Sequence, residues 1–495
     1  MAVSQNQRQL TQAGGIPRFS YTRYDALGRI TEVGEKLPFY SYVMDDNIAK
    51  NQESLDWFMD FFNNNKEVTK TIYDAPLLTE QAGSTSRKRV VANVFQATPT
   101  SAGDSTFYSY DVNGNAKSIW QSIEALRVIE NNGRKRIDYD YDLVSGKVNR
   151  VVYQLGEGDQ FFYKYLYDAE NRIIEAQSGR DGLLWNTDAS YRYYLHGQLA
   201  RIELGHYKVQ GIDYAYTLQG WLKGMNGVQV NPANEIAGDG KDTGVFSRVS
   251  RDVYGFSLGY FANDYKPIGG AGAAAFRVNY QAPAPSGSVT GSSLFNGNIS
   301  YATLALSGIN NGAPAGYTYL YDQLNRLTGM SRHALMGTDT GWSNTSIIDA
   351  YKERINYDAN GNILSYIRNG AGTTHSPLAM DNMTYRYLPG TNKLDHIDDS
   401  IAATNHKVDI DDQDSLNYVY DAIGNLIRDV SEGIDSIQWT IYGKVEKIKK
   451  DSSTITYGYD ANGNRVTKVY APVNGDTVTT FYVRDAQGNP WLFIV

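Results

Sequence analysis

The chain has 495 residues, a net charge of −8 and no cysteine, with 20% charged and 41% hydrophobic residues. This composition excludes a disordered chain, disulfides and thiolate metal sites, and the absence of any long apolar run excludes a membrane-spanning helix. The acidic balance and the lack of a strong basic run argue against broad nucleic-acid binding.

Thirty-nine Tyr and 47 Gly are the unusual counts. Tyr favours strands because its ring packs on a pleated surface while the hydroxyl keeps a polar partner. Gly supplies the positive φ of tight turns. Together they predict many short strands joined by many tight hairpins.

In chain order, the start at 1–14 is polar and has no apolar signal-peptide region. The first hairpin block spans 15–225, with good units at Tyr24 and Tyr110 and a dense run after 131. Within it, 46–66 breaks the pattern and reads as a short amphipathic helix or an irregular insertion. Residues 226–316 are rich in Gly, Ala, Ser and Pro and read as an irregular insertion with short strands, among them 254–260 and 295–299. A second hairpin block spans 317–495, interrupted by an acidic stretch at 395–414.

One unit recurs through both blocks: Tyr-x-Tyr-Asp, two residues, Gly or Asn, Asn or Arg, then an apolar alternation. Its copies place Tyr and Asp at Tyr24 and Asp25, Tyr110 and Asp111, Tyr167 and Asp168, and Tyr321 and Asp322. Further copies stand at Tyr357 and Asp358, Tyr420 and Asp421, and Tyr459 and Asp460. Degenerate copies at 193–199, 216–222 and 441–445 lose the Asp, and a last one covers 481–489. Tyr-x-Tyr puts two rings on one face of a strand. Asp turns the chain by accepting backbone amides two residues on, and the Gly or Asn supplies positive φ. The return strand then brings Ile, Leu or Val to the core face. An isolated hairpin is marginal in water, so neighbouring units must pair edge to edge.

Chemistry-bearing patterns are few. The segment 409–414 resembles the start of a calcium loop, but the sixth and twelfth positions hold Asp414 and Tyr420 where such a loop wants Gly and Glu. The six histidines, at 196, 206, 333, 375, 396 and 406, show no zinc-helix spacing and read as surface or repeat positions. No phosphate-cradling loop and no nucleophile elbow occurs. No catalytic residue, cofactor or metal is expected. The repeated Tyr-Asp positions read as structural, with exposed Tyr and Trp stacking on sugars as the alternative.

The Tyr-Asp units resemble the YD repeats of the Rhs family, shared with the C components of insecticidal toxin complexes and, more distantly, with teneurins. The segments 258–265 and 294–299 are similar to Rhs proteins of the Bacteroidetes. The resemblance implies an all-β fold in which tandem hairpins form a continuous spiralling sheet, part or all of a hollow shell. It also implies a polypeptide toxin cargo, a secreted or cell-surface parent protein, and a self-cleaving core and toxin domain beyond a unit like 481–489. Nothing in this chain matches the family's cleavage Asp. Both ends lead to the expectation of a piece of a longer chain. The expected role is a non-enzymatic shell segment that encloses or presents a polypeptide, or the remainder of its own parent chain. The alternative is a cell-surface carbohydrate-binding or adhesion module with glycan partners.

Overall fold

The computed structural model describes residues 2–4, 19–36, 65–130, 133–230, 236–241, 243–267, 293–334 and 347–494, with a few positions between 50 and 57. The chain is all-β, built of tandem antiparallel hairpins, and it divides into two compact units. One comprises Met1–Phe162 with Leu416–Val495, the other Tyr163–Ser415.

In the first unit, a ladder starts at Ala2–Ser4, Phe19–Tyr24, Ile30–Lys36 and Asn65–Tyr73. It continues through Val90–Gln96, Asp104–Tyr110, Ala116–Ser122, Arg134–Tyr141 and Val148–Tyr153. Each strand pairs antiparallel with the next. A second sheet of eight strands, from Tyr418–Tyr420 to Pro490–Ile494, is built the same way. The two sheets meet over an apolar cluster of Ile123, Leu126, Val466 and Phe481, each at most 3% exposed. Ile123 and Leu126 belong to the short helix Glu124–Ile129 and its approach. The Glu124 N–H at its start donates to Asp104 Oδ1 at 2.7 Å, which satisfies one amide the helix cannot.

The second unit is a ladder of the same kind, each strand from Ile173–Gly179 to Leu394–Asp399 pairing with its successor. The blocks 15–225 and 317–495 read from the sequence do not coincide with these units. Two physical reasons account for the difference. The ladder runs on through the region read as an insertion, because Tyr254–Gly259 and Tyr301–Leu306 pair with each other and with the strands on either side. The last eighty residues bury their apolar face against the first sheet of the chain and so leave the block they follow in sequence.

The 295–299 segment, expected as strand, is a bend in which Asn296 Oδ1 accepts the Asn298 N–H at 3.1 Å and Gly297 has φ 88°. Of the 46–66 segment, the described positions Lys50, Glu53, Ser54 and Trp57 are helical and 65–66 are strand. The Gly/Ala-rich 268–275 and the Pro-rich 282–288 lie outside the described residues.

Candidate functional site

The repeated turn is one constellation used many times. In the unit at Tyr24, the Asp25 N–H donates to the Arg29 carbonyl and the Gly28 N–H to the Asp25 carbonyl. The Asp25 side chain then accepts on both oxygens. Oδ1 takes the N–H groups of Leu27 and Arg29, each at 2.9 Å, and Oδ2 takes Arg29 Nε at 2.6 Å. Asp168 and Asp322 hold Arg172 and Arg326 in the same way. Where the fourth residue on is Asn, its Nδ2 replaces the guanidinium, as at Asp111, Asp358, Asp421 and Asp460. A side chain with an N–H donor, Arg or Asn, therefore suffices at that position. The Arg326 N–H and guanidinium hold the Asp322 carboxyl below the ordinary carboxylate range. The Asn362 amide does the same for Asp358.

Each of these turns has a single left-handed residue: Gly28, Gly114, Asn171, Asn325, Gly361, Gly424 or Gly463. The ladder register shifts at the tyrosine, between Arg23 and Tyr24 and between Asn356 and Tyr357, for example. The hairpins thus close with a bulge beside one positive-φ residue, which fits the chain's right-handed twist.

In several units the tyrosine joins the hairpin to the one before it. Tyr357 Oη donates to the Leu327 carbonyl at 2.8 Å, and the Arg326 guanidinium lies 4.6 Å from the Tyr357 ring centre. Tyr193 and Arg172 repeat both contacts, with Tyr193 Oη on the Ile173 carbonyl at 2.8 Å. Tyr110, Tyr321 and Tyr459 donate likewise to Val90, Ile299 and Val445. Trp439 does it with its indole N–H, on the Leu426 carbonyl at 2.8 Å. In the units with Arg172 and Arg326, Asp, Arg and the next Tyr therefore form a chain: the carboxylate fixes the guanidinium, the guanidinium faces the ring, and the hydroxyl closes on the backbone one residue further. Tyr167 and Tyr420 are half-buried, and Tyr24 is more exposed. The sequence showed the Tyr-Asp pairs; the partnership with a carbonyl between 13 and 30 residues upstream had no local signal.

The second unit also buries charge. Arg201, 3% exposed, donates to Asp213 Oδ2 at 2.6 Å, Asp239 Oδ1 at 2.7 Å and Glu203 Oε1 at 3.2 Å. Phe246 lies over its guanidinium at 4.1 Å, and Lys208 reaches Glu203 from the surface. Burial pushes Asp213 up to about 6, with Arg201 opposing and the neighbouring acids Asp239 and Glu203 adding to it. Lys223 and Asp264 form a second buried pair at 2.7 Å.

Among the described residues, none of the histidines gathers partners into a metal site. His333, expected at the surface or at a repeat position, is fully buried, with Nε2 3.1 Å from the Thr318 hydroxyl, on a strand paired along both edges. His196 stacks on Tyr194 at 5.2 Å, and His396 contacts Asp395 and Asp398. Among the described residues, no three His, Asp or Glu side chains are arranged to hold a metal. No helix among them is long and apolar enough to cross a membrane, which says nothing of a β-barrel.

No family model matches this sequence, and no curated protein matches it. The fold does match solved structures. A crystal structure of TcdB2–TccC3–Cdc42 superposes with a TM-score of 0.58 at 14% identity over 94% of this chain. One of TcdB2–TccC3–TEV gives 0.58 at 14% identity over 96%. A structure of the Photorhabdus luminescens Tc holotoxin pore gives 0.57 at 13% identity over 94%. This chain spans about a fifth of the length of each, 19%, 20% and 19% respectively. Its tandem-hairpin architecture is therefore the fold found in a stretch of these Tc toxin assemblies.

Proposed function

We propose that this chain is a wall segment of a YD-repeat shell, non-enzymatic in itself, that encloses or presents a polypeptide cargo. The observation that carries the reading is the recurring bond from a tyrosine hydroxyl to a carbonyl of the preceding hairpin, reinforced by an Asp–Arg–Tyr chain in units that carry Arg. Its likeness in fold to the TcdB2–TccC3 structures supports the same reading. Repeat walls gain stability by summing unit and interface terms, so length is added without a new core. A secreted or cell-surface parent and a toxin cargo are part of this proposal.

Several of the repeated tyrosine hydroxyls are spent on backbone carbonyls, as at Tyr110, Tyr193, Tyr321, Tyr357 and Tyr459. That fits wall-building better than sugar recognition. Small-angle scattering and cryo-electron microscopy of the chain test the proposal. A curved wall around a solvent-filled interior is the expected density. A solid particle with no enclosed or concave space would overturn it.

A further inference from the structure

The sequence holds nine Asn–Gly steps, eight of them among the described residues. Asn–Gly is the step of a protein chain most prone to modify itself, because Gly has no Cβ to obstruct its own nitrogen. Once that nitrogen loses its proton, it attacks the side-chain carbonyl carbon of the Asn. The new C–N bond closes a five-membered succinimide and ammonia leaves. Water then opens the ring at either carbonyl, giving aspartate or isoaspartate. The reaction needs a Gly N–H without an acceptor and an Asn side chain free to swing onto it.

The repeat turns deny the first requirement. The N–H groups of Gly114, Gly361 and Gly463 donate to the carbonyls of Asp111, Asp358 and Asp460 at 3.2, 3.2 and 3.0 Å. Asn113, Asn360 and Asn462 are all exposed, so the turn bond and not burial is what restrains them. Two other steps are held likewise: the Gly312 N–H donates to the Ile309 carbonyl at 3.0 Å and the Gly370 N–H to the Leu378 carbonyl at 2.8 Å. The remaining two are held by the side chain. Asn226, 5% exposed, accepts the Asp213 N–H and donates to the Tyr254 carbonyl. Asn296 accepts the Asn298 N–H and donates to Asn325 Oδ1.

Asn474–Gly475 meets neither restraint. Both residues are exposed in the loop that joins Arg465–Pro472 to Val478–Arg484. The Val473 N–H anchors the start of that loop on the Ser452 carbonyl at 2.9 Å, but among the described residues neither the Asn474 side chain nor the Gly475 N–H has a hydrogen-bond partner. We propose that Asn474 is a self-modification site, converting to aspartate and isoaspartate while the Asn–Gly steps of the repeat turns are kept inert by their own hydrogen bonds. The product sets a new carboxylate two residues from Asp476, and isoaspartate lengthens the backbone by a methylene. Both changes fall in the loop between the strands that carry Val466 and Phe481 of the apolar cluster.

The whole chain, folded and in guanidinium chloride, is incubated at pH 8 and 37 °C, digested with trypsin and mapped by mass spectrometry. In the folded chain the peptide 469–484 should gain about one dalton and split into two chromatographic products. It should do so about tenfold faster than the peptides carrying Asn113, Asn360 and Asn462, the factor expected for one hydrogen bond. In guanidinium chloride the four sites should convert at comparable rates, since the turn bonds are gone. N474Q should abolish the gain in 469–484, because Gln would have to close a six-membered ring. Conversion of Asn113, Asn360 or Asn462 in the folded chain as fast as that of Asn474 would overturn the proposal. So would an Asn474 that stays intact in the folded chain but converts in the unfolded one.

Discussion

The backbone N–H of Arg484 donates to Gln121 Oε1 at 2.9 Å across 363 residues of sequence. Both residues are at least nine-tenths buried. Two residues on, the Ala486 N–H donates to Tyr139 Oη at 2.8 Å, and at the far end of the same contact the Ile441 N–H donates to Glu67 Oε2 at 2.9 Å. The sheet of Leu416–Val495 is therefore docked on that of Met1–Phe162 by side chains that complete backbone hydrogen bonds, around the cluster of Ile123, Leu126, Val466 and Phe481.

Removing one of these acceptors leaves a buried donor unpaired. Q121A is expected to cost about 1–3 kcal/mol, read as a lowered midpoint in urea denaturation. F481A, which empties the apolar cluster, is expected to cost about 3–5 kcal/mol. Limited proteolysis of F481A should then cut within 416–495 before it cuts within 163–415. Equal susceptibility of both regions would show that the docked sheet does not depend on this cluster.

The tyrosine clamp separates into two contributions. Y357F deletes only the hydrogen bond to Leu327 and is expected to cost about 0.5–1.5 kcal/mol. R326A removes the cation from the ring face, worth about 0.5–1 kcal/mol at such a site, and frees the Asp322 turn as well. The double variant should cost less than the sum of the two, since both act on one ring. Strict additivity in a double-mutant cycle would separate the two contacts.

Gly361 sits at φ 93° in its turn. G361A forces a Cβ into the left-handed region and is expected to cost about 1–2 kcal/mol. N325G, at φ 63° in the corresponding position, should be close to neutral. Thermal melts of the two variants check the contrast, and equal losses would contradict it.

Asp213 makes unit stability depend on pH. Its carboxyl rises from 3.8 to about 6 in the folded protein, so the native state binds the proton more tightly than the unfolded chain. The stabilisation from this group is full below about 4 and is lost as pH rises through about 6. D213N should flatten that part of the curve of melting temperature against pH. R201A strands Asp213 and Asp239 without their cation and is expected to cost about 3–5 kcal/mol. A wild-type curve of the same slope as D213N between pH 4 and 6 would remove Asp213 from the account.

The hairpins were legible because their chemistry is local. Asp25 reaches Leu27 and Arg29, and Gly28 alone relieves the turn's backbone, all within five residues. Period-two alternation in segments such as Phe19–Tyr24 declares the strand on either side. What composition obscured was continuity: Gly, Ala and Pro around 226–316 announce a loop, yet Tyr254–Gly259 and Tyr301–Leu306 pair with each other, from Tyr254 with Leu306 to Gly259 with Tyr301. The Arg201 cluster was equally silent, since Asp239 lies 38 residues away and no spacing rule links them.

Sequence by itself determined the repeating element, its turn chemistry and the all-β class, because hydrogen bonds between residues four apart need no knowledge of the rest of the chain. Only the tertiary structure decided that the last eighty residues rejoin the first sheet and that buried acids converge on Arg201. Those outcomes depend on which apolar faces and unpaired backbone groups are left over once every hairpin has closed, and that remainder is a property of the assembled sheets.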